Sequence, residues 1–156
     1  MMLRYGLCAA IAVATALPAF AAPVELVTKV LAEQRTAAKD GTTQIALTPA
    51  ARVTPGDRIV YEISYRNTGS QPIGNFVVSN PLPKDVAYMA PAAGSPAPDL
   101  SVDGSTFGPL ATLRVKGPKG DLRPAIATDV KAVRWRLAEP LAAGGSGQFA
   151  FRAMLK

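Results

Sequence analysis

Lysine and arginine are the residues of this chain with the most to offer a ligand. Their densest group is Arg114, Lys116, Lys119 and Arg123, set around the loop motif KGPKGD. Cationic side chains gathered on one surface attract phosphate, sulfate or carboxylate groups, so these four are the candidate contacts for an anionic polymer or glycan, or for lipid head groups. The competing reading is a solvated basic face that serves solubility. There is no unbroken basic run, and no aromatic interleaving of the kind single-strand binders show, so no nucleic acid is expected as a partner.

Catalytic chemistry has little to work with. Histidine is absent, which removes the usual general base, the Ser-His-Asp triad and the commonest metal ligand together. Asp99 and Asp103 are the nearest carboxylate pair, in the stretch DLSVDG. They have two readings, oxygen ligands for calcium or turn-forming aspartates, and the spacing and closing Glu of an EF-hand are missing. The turn reading is preferred. With no nucleophile and base pair in view, the chain reads as a non-enzyme without cofactor or metal. Trp135 and the tyrosines suit either a sugar-stacking surface or a core, and exposure decides between them.

The first residues carry an address. Arg4 precedes an apolar run over residues 7–17, then Pro18 and the small-residue site Ala19-Phe20-Ala21; this is the pattern of a secretory signal peptide over residues 1–21. The run is shorter than the roughly 20 apolar residues of a spanning helix. The sole cysteine, Cys8, lies inside that leader, so the mature chain is expected to have neither a disulfide nor a thiolate metal site. Cys8 also sits too early for a lipoprotein anchor. Net charge is +6, and losing Arg4 leaves +5. About 135 mature residues suffice for one domain that buries roughly two thirds of its unfolded surface.

The elements that must position the basic group are strands. In PGDRIVYEISYRNTGSQP, residues 55–72, Ile59, Tyr61, Ile63 and Tyr65 alternate with Val60, Glu62, Ser64 and Arg66. A period of two sets one apolar face against one mostly wet face. Pro55-Gly56-Asp57 and Asn67-Thr68-Gly69 supply turn chemistry at the two ends. Residues 24–34 fit a strand or a helix face, and the strand is preferred. KDGT at 39–42 signals a turn and residues 43–47 a short strand. FVVSN at 76–80 and residues 86–89 read as strands, and APAAGSPAP at 90–98 as a surface loop. LSVDGSTF reads as a hairpin about Asp103-Gly104, and residues 117–129 as a long loop suited to recognition. Two strands, AVRWRLA and QFAFRAML, close the pattern. Val133, Trp135 and Leu137 share a face, as do Phe149, Phe151, Ala153 and Leu155, and these sets are the predicted core.

The order PGD, alternating strand with Tyr61, Asn67-x-Gly69, Val77 to Asn80, Pro81-Leu82-Pro83 and Tyr88 resembles the bacterial conserved repeat domain, known as domain of unknown function eleven. SVDGSTF, Trp135 and LAAGGSGQFAF resemble its second half, so the likeness spans residues 45–156. It implies an immunoglobulin-like antiparallel β-sandwich of about seven strands, in an exported or cell-surface protein. The motif unit occurs here in a single copy, and the family supplies no catalytic residues to carry over. The expected organisation is therefore a leader at 1–21, an N-terminal strand or extension at 22–44, and an all-β sandwich at 45–156. Its expected role is a structural or protein-interaction module of the bacterial envelope, in the periplasm or at the surface. Its partner would be another envelope or surface protein, met by strand-edge pairing. The alternative is binding of an anionic polymer or glycan through the basic loop.

Overall fold

The computed structural model of the chain describes residues 23–118 and 120–156. The leader read at 1–21, with Arg4 and Cys8, and the candidate contact Lys119 lie outside the described residues. The fold is all-β and antiparallel. Among the described residues ten strands form: β1 (Val24–Ala37), β2 (Thr43–Pro49), β3 (Arg58–Asn67), β4 (Val77–Pro81), β5 (Val86–Pro91), β6 (Asp99–Ser101), β7 (Arg114–Lys116), β8 (Leu122–Pro124), β9 (Ala132–Arg136) and β10 (Ser146–Leu155).

The alternation in β3 is what builds the sandwich. Ile59, Tyr61, Ile63 and Tyr65 are buried together, and β3 lies at the centre of a sheet ordered β2-β1-β3-β10-β5. A second sheet, β4-β9-β6, carries Val78, Val133 and Trp135 into the same core. Rings knit the core: Trp135 of β9 stacks on Phe149 of β10 at 5.0 Å with planes 1° apart and so joins the layers, and within the larger sheet Tyr61 stacks on Phe151 at 4.9 Å. Such pairs contribute about 0.5–1.5 kcal/mol each beyond their buried area. Without β2, the layers stand four on three, as in an immunoglobulin-like sandwich, but the chain runs through them in its own order. The strand between the second and fourth of the larger sheet ordinarily follows the fourth directly; here that place is taken by β10, the last strand.

Both ends of β3 are tied. At the start, Gly56 has φ 96°, a conformation that favours glycine. Asp57 accepts from the Thr54 N–H at 2.7 Å, and Gly56 N–H donates to the Leu155 carbonyl at 2.8 Å. At the far end Asn67 is more than a turn residue. It is fully buried, and its amide donates to the carbonyls of Gln71 (2.8 Å), Leu141 and Ala142 (both 3.1 Å) while accepting from Gly69 N–H at 2.9 Å. One side chain thus fastens the β3–β4 connection to the β9–β10 connection.

Three expectations need correction, and the strand preferred for residues 24–34 takes its place. The face of Val60, Glu62, Ser64 and Arg66 is wet only in part, because Val60 is 4% exposed. Across that outer face Arg152 of β10 reaches over β3 to Glu33 of β1, with bonds of 2.5 and 2.9 Å, and the sequence gives no local sign of a pair so far apart. Residues 24–34 belong to the sandwich's own sheet, since β1 pairs with β3 from Val24 to Ala32. The hairpin about Asp103-Gly104 is short: opposite β6 only Leu100 and Gly108 bridge, because Asp103 turns the chain onto itself, accepting from Ser105 and Thr106 N–H groups at 2.8 and 2.7 Å. Residues 117–129 are no open loop but hold β8, which closes a hairpin with β7, and a 3-10 turn over Ala127–Asp129.

Two substitutions test this frame. Asn67→Ala takes the donor from the Gln71 carbonyl and the second bond from the Leu141 and Ala142 carbonyls, which keep the N–H groups of Ile73 and Gly145, and is expected to cost about 1–3 kcal/mol, read from urea unfolding. Gly147→Ala drives a Cβ into the Tyr65 ring that lies across it and is expected to cost about 1–3 kcal/mol by overpacking; Tyr65→Leu in the same chain should recover part of that loss.

Candidate anion-binding cleft

Lys84 follows β4 in the short connection to β5, Arg114 and Lys116 lie on β7, Arg123 on β8, Lys131 just before β9 and Lys156 just after β10. These residues line one cleft of about 880 Å³, whose apolar lining includes Leu82, Val86, Val115 and Val130. Backbone hydrogen bonds hold the cation-bearing segments in place. Leu82 N–H donates to the Lys131 carbonyl (2.8 Å), Lys131 N–H to Ser101 (2.7 Å), and Lys156 N–H to Asp85 (2.7 Å). The β7–β8 ladder runs one rung further, Ala125 N–H donating to the Leu113 carbonyl at 3.1 Å.

Two carboxylates share the lining with the six cations, Asp103 and Asp129. Backbone N–H groups of Thr106 and Ser105, with the Ser101 hydroxyl, hold the Asp103 carboxyl well below the usual carboxylate range. The Arg123 guanidinium, helped by the Ile126 N–H, brings Asp129 down to about 2. Both are therefore charged throughout the physiological range, and cations exceed anions in the cleft at every such pH.

The structure separates the predicted contacts. Arg123 grips Asp129 through two bonds of 2.6 and 2.8 Å, so its charge is already answered. Arg114 donates to the carbonyls of Ala111 and Leu113, both at 2.9 Å, and pairs with no carboxylate among the described residues. Lys116 is exposed and likewise pairs with none. Lys84, Lys131 and Lys156 were not legible as site residues. They stand singly in sequence, and only the meeting of the β4–β5 connection, the approach to β9 and the end of β10 gathers them.

The other candidates find structural roles. Asp99 lies 3.4 Å from Arg134, whose guanidinium covers the Phe107 ring at 4.2 Å, while Asp103 is committed to its turn. The two carboxylates thus hold different partners. Trp135 is 3% exposed and its indole N–H donates to the Pro96 carbonyl at 2.9 Å, which assigns it to the core and not to a sugar-stacking surface. Among the described residues no group of acidic, histidine or cysteine side chains is placed to hold a metal ion.

The Arg123–Asp129 pair carries a pH signature. Because Asp129 titrates lower folded than its ordinary 3.8, the unfolded chain binds the proton first as pH falls. The stability contributed by the pair is complete above about pH 4–5 and is lost as pH drops towards 2. Urea midpoints measured down this range should fall less steeply in Asp129→Asn than in the parent chain, with Asp129→Asn the less stable at neutral pH.

No protein-family model, curated protein or solved structure matches this chain.

Proposed function

We propose that the protein is an exported, non-enzymatic binding module of the bacterial envelope, a β-sandwich that presents a basic cleft to an anionic polymer or glycan. The single observation that carries this reading is convergence. Lys84, Arg114, Lys116, Lys131 and Lys156 come from four stretches of chain, line one cleft and pair with no carboxylate among the described residues. Like charges brought together repel, and a fold that holds them so has a use for the field they create. The apolar lining leaves room for the uncharged parts of a ligand, while the cations set its sign. The leader and the family likeness support the compartment. A role in protein interaction through strand edges stands beside this one, favoured by the open side of β1 opposite β3.

The test is retention on immobilised dextran sulfate. The parent chain should be held at low salt and released as ionic strength passes about 0.15 M, where the Debye length is about 8 Å. Lys84→Gln with Lys116→Gln and Lys131→Gln should weaken binding by at least about tenfold, about 1.4 kcal/mol, with unchanged thermal unfolding. A control with the same charge removed elsewhere, Arg35→Gln with Lys39→Gln and Arg136→Gln, should bind as the parent does. Equal loss in the control would reduce the effect to net charge and remove the cleft from the account.

A further inference from the structure

The side of β1 turned away from β3 is only half covered. β2 pairs with β1 from Leu31 to Ala37 and no further, whereas β3 pairs with it from Val24 to Ala32. From Val24 to Val30 no strand lies on the outer side among the described residues, and the one backbone bond there runs from Ala50 N–H to the Val30 carbonyl at 3.1 Å. That bond sets the parity. Val30 directs its polar groups away from β3, so by the alternation of an antiparallel ladder Val24, Leu26 and Thr28 do the same. Pro23, of the other parity, accepts from Thr68 N–H on the β3 side at 2.8 Å. Leu26 is 54% and Val27 42% exposed on this open stretch. An uncovered edge with apolar side chains is a template for another strand.

The side chains say which strand. Around Val27 the sequence is Val-Glu-Leu-Val-Thr-Lys-Val, residues 24–30, with Glu25 two places before the centre and Lys29 two places after. A second copy laid antiparallel about Val27 sets Leu26 against its Thr28 and Thr28 against its Leu26, all with backbone groups facing the joint, which stops short of Val30, whose carbonyl Ala50 already holds. Glu25 then lies against Lys29 of the second copy at a non-hydrogen-bonded pair, where side chains come closest. The ladder continues outward, because within one chain Arg66 is opposite Glu25 and Glu62 is opposite Lys29. Along that row the charges alternate across all four strands. Sliding the second copy by two residues sets the charges against Val27, sliding by four sets like charges together, and a parallel arrangement in register pairs Glu25 with itself. Only one register satisfies both backbone and charge.

We propose that two copies of this chain associate through the open side of β1, antiparallel about Val27, so that their larger sheets become one. The contact is independent of the basic cleft. It uses a strand that the sequence marks at 24–34, and its complementarity is carried by two oppositely charged residues and the gap that β2 leaves.

Cysteine crosslinking in a Cys8→Ser background tests the register. At a non-hydrogen-bonded pair the Cα atoms are about 4.5 Å apart, within the range of about 4.4–6.8 Å that a disulfide spans. Val27→Cys should therefore oxidise to a covalent dimer under mild conditions, and a mixture of Glu25→Cys and Lys29→Cys chains should crosslink while neither does so alone. Thr36→Cys, on β1 beyond the gap, should form no crosslink. By sedimentation the parent chain should be a dimer and Thr28→Pro, which removes a donor facing only the open side, a monomer with unchanged thermal unfolding. Crosslinking of Val27→Cys no faster than Thr36→Cys, or a dimer that survives Thr28→Pro, overturns the proposal. So does a monomeric parent chain that captures a strand of a different envelope protein and loses it on Thr28→Pro.

Discussion

Stacked rings between two sheets are the interaction on which everything else here depends. Among the described residues there is no cysteine to tie the layers and no metal cluster to staple them, so the core must do so by packing alone. Trp135 of the smaller sheet lies flat on Phe149 of the larger, Phe151 is flanked by Tyr61, Tyr88 and Trp135, and Tyr65 touches both Phe149 and Phe76. The rings form one continuous cluster. It fixes the separation and register of the sheets, and with them the places where their connections meet. Asn67 does at the rim what the rings do inside, binding two connections that are far apart in sequence.

The cleft follows from that meeting. Its cations stand at strand ends and on one small hairpin, and each is held by backbone bonds that the sandwich dictates. A surface lysine on an isolated peptide would swing through solvent, but the Lys131 backbone is held by the bonds from Leu82 and to Ser101, and the Lys84 carbonyl accepts from the Lys156 ammonium at 3.2 Å. Arg123 serves differently: it answers Asp129 and so steadies the hairpin carrying Lys116 beside the 3-10 turn. The described members of the cluster that looks uniformly basic in sequence thus divide, Arg114 and Lys116 without a carboxylate partner and Arg123 paired with Asp129.

What was legible in the sequence follows from the range of the interactions involved. Alternation is local, so β3, β9 and β10 and their inward residues could be read directly, as could the turn at Gly56. The preferred strand over residues 24–34 formed as β1, although periodicity alone left it ambiguous with a helix. Burial of Val60 was not readable, since it depends on Arg152 and Glu33 meeting over β3 from strands on either side of it. The length of the hairpin after β6 was misjudged because Asp103 bonds to its own neighbours in place of extending a ladder. Of the cations that line the cleft, Arg114, Lys116 and Arg123 stand close in sequence, whereas the meeting of Lys84, Lys131 and Lys156 depends on which strand ends the topology brings together.

The most direct test of the central claim is residue-resolved: backbone amide chemical shifts of the protein titrated with dextran sulfate. Saturable shifts are expected at Lys84, Arg114 to Lys116, Lys131 and Lys156 alone, with β1 and β2 unmoved. Shifts spread over basic residues throughout the surface, or centred on the outer face of β1, would contradict the claim.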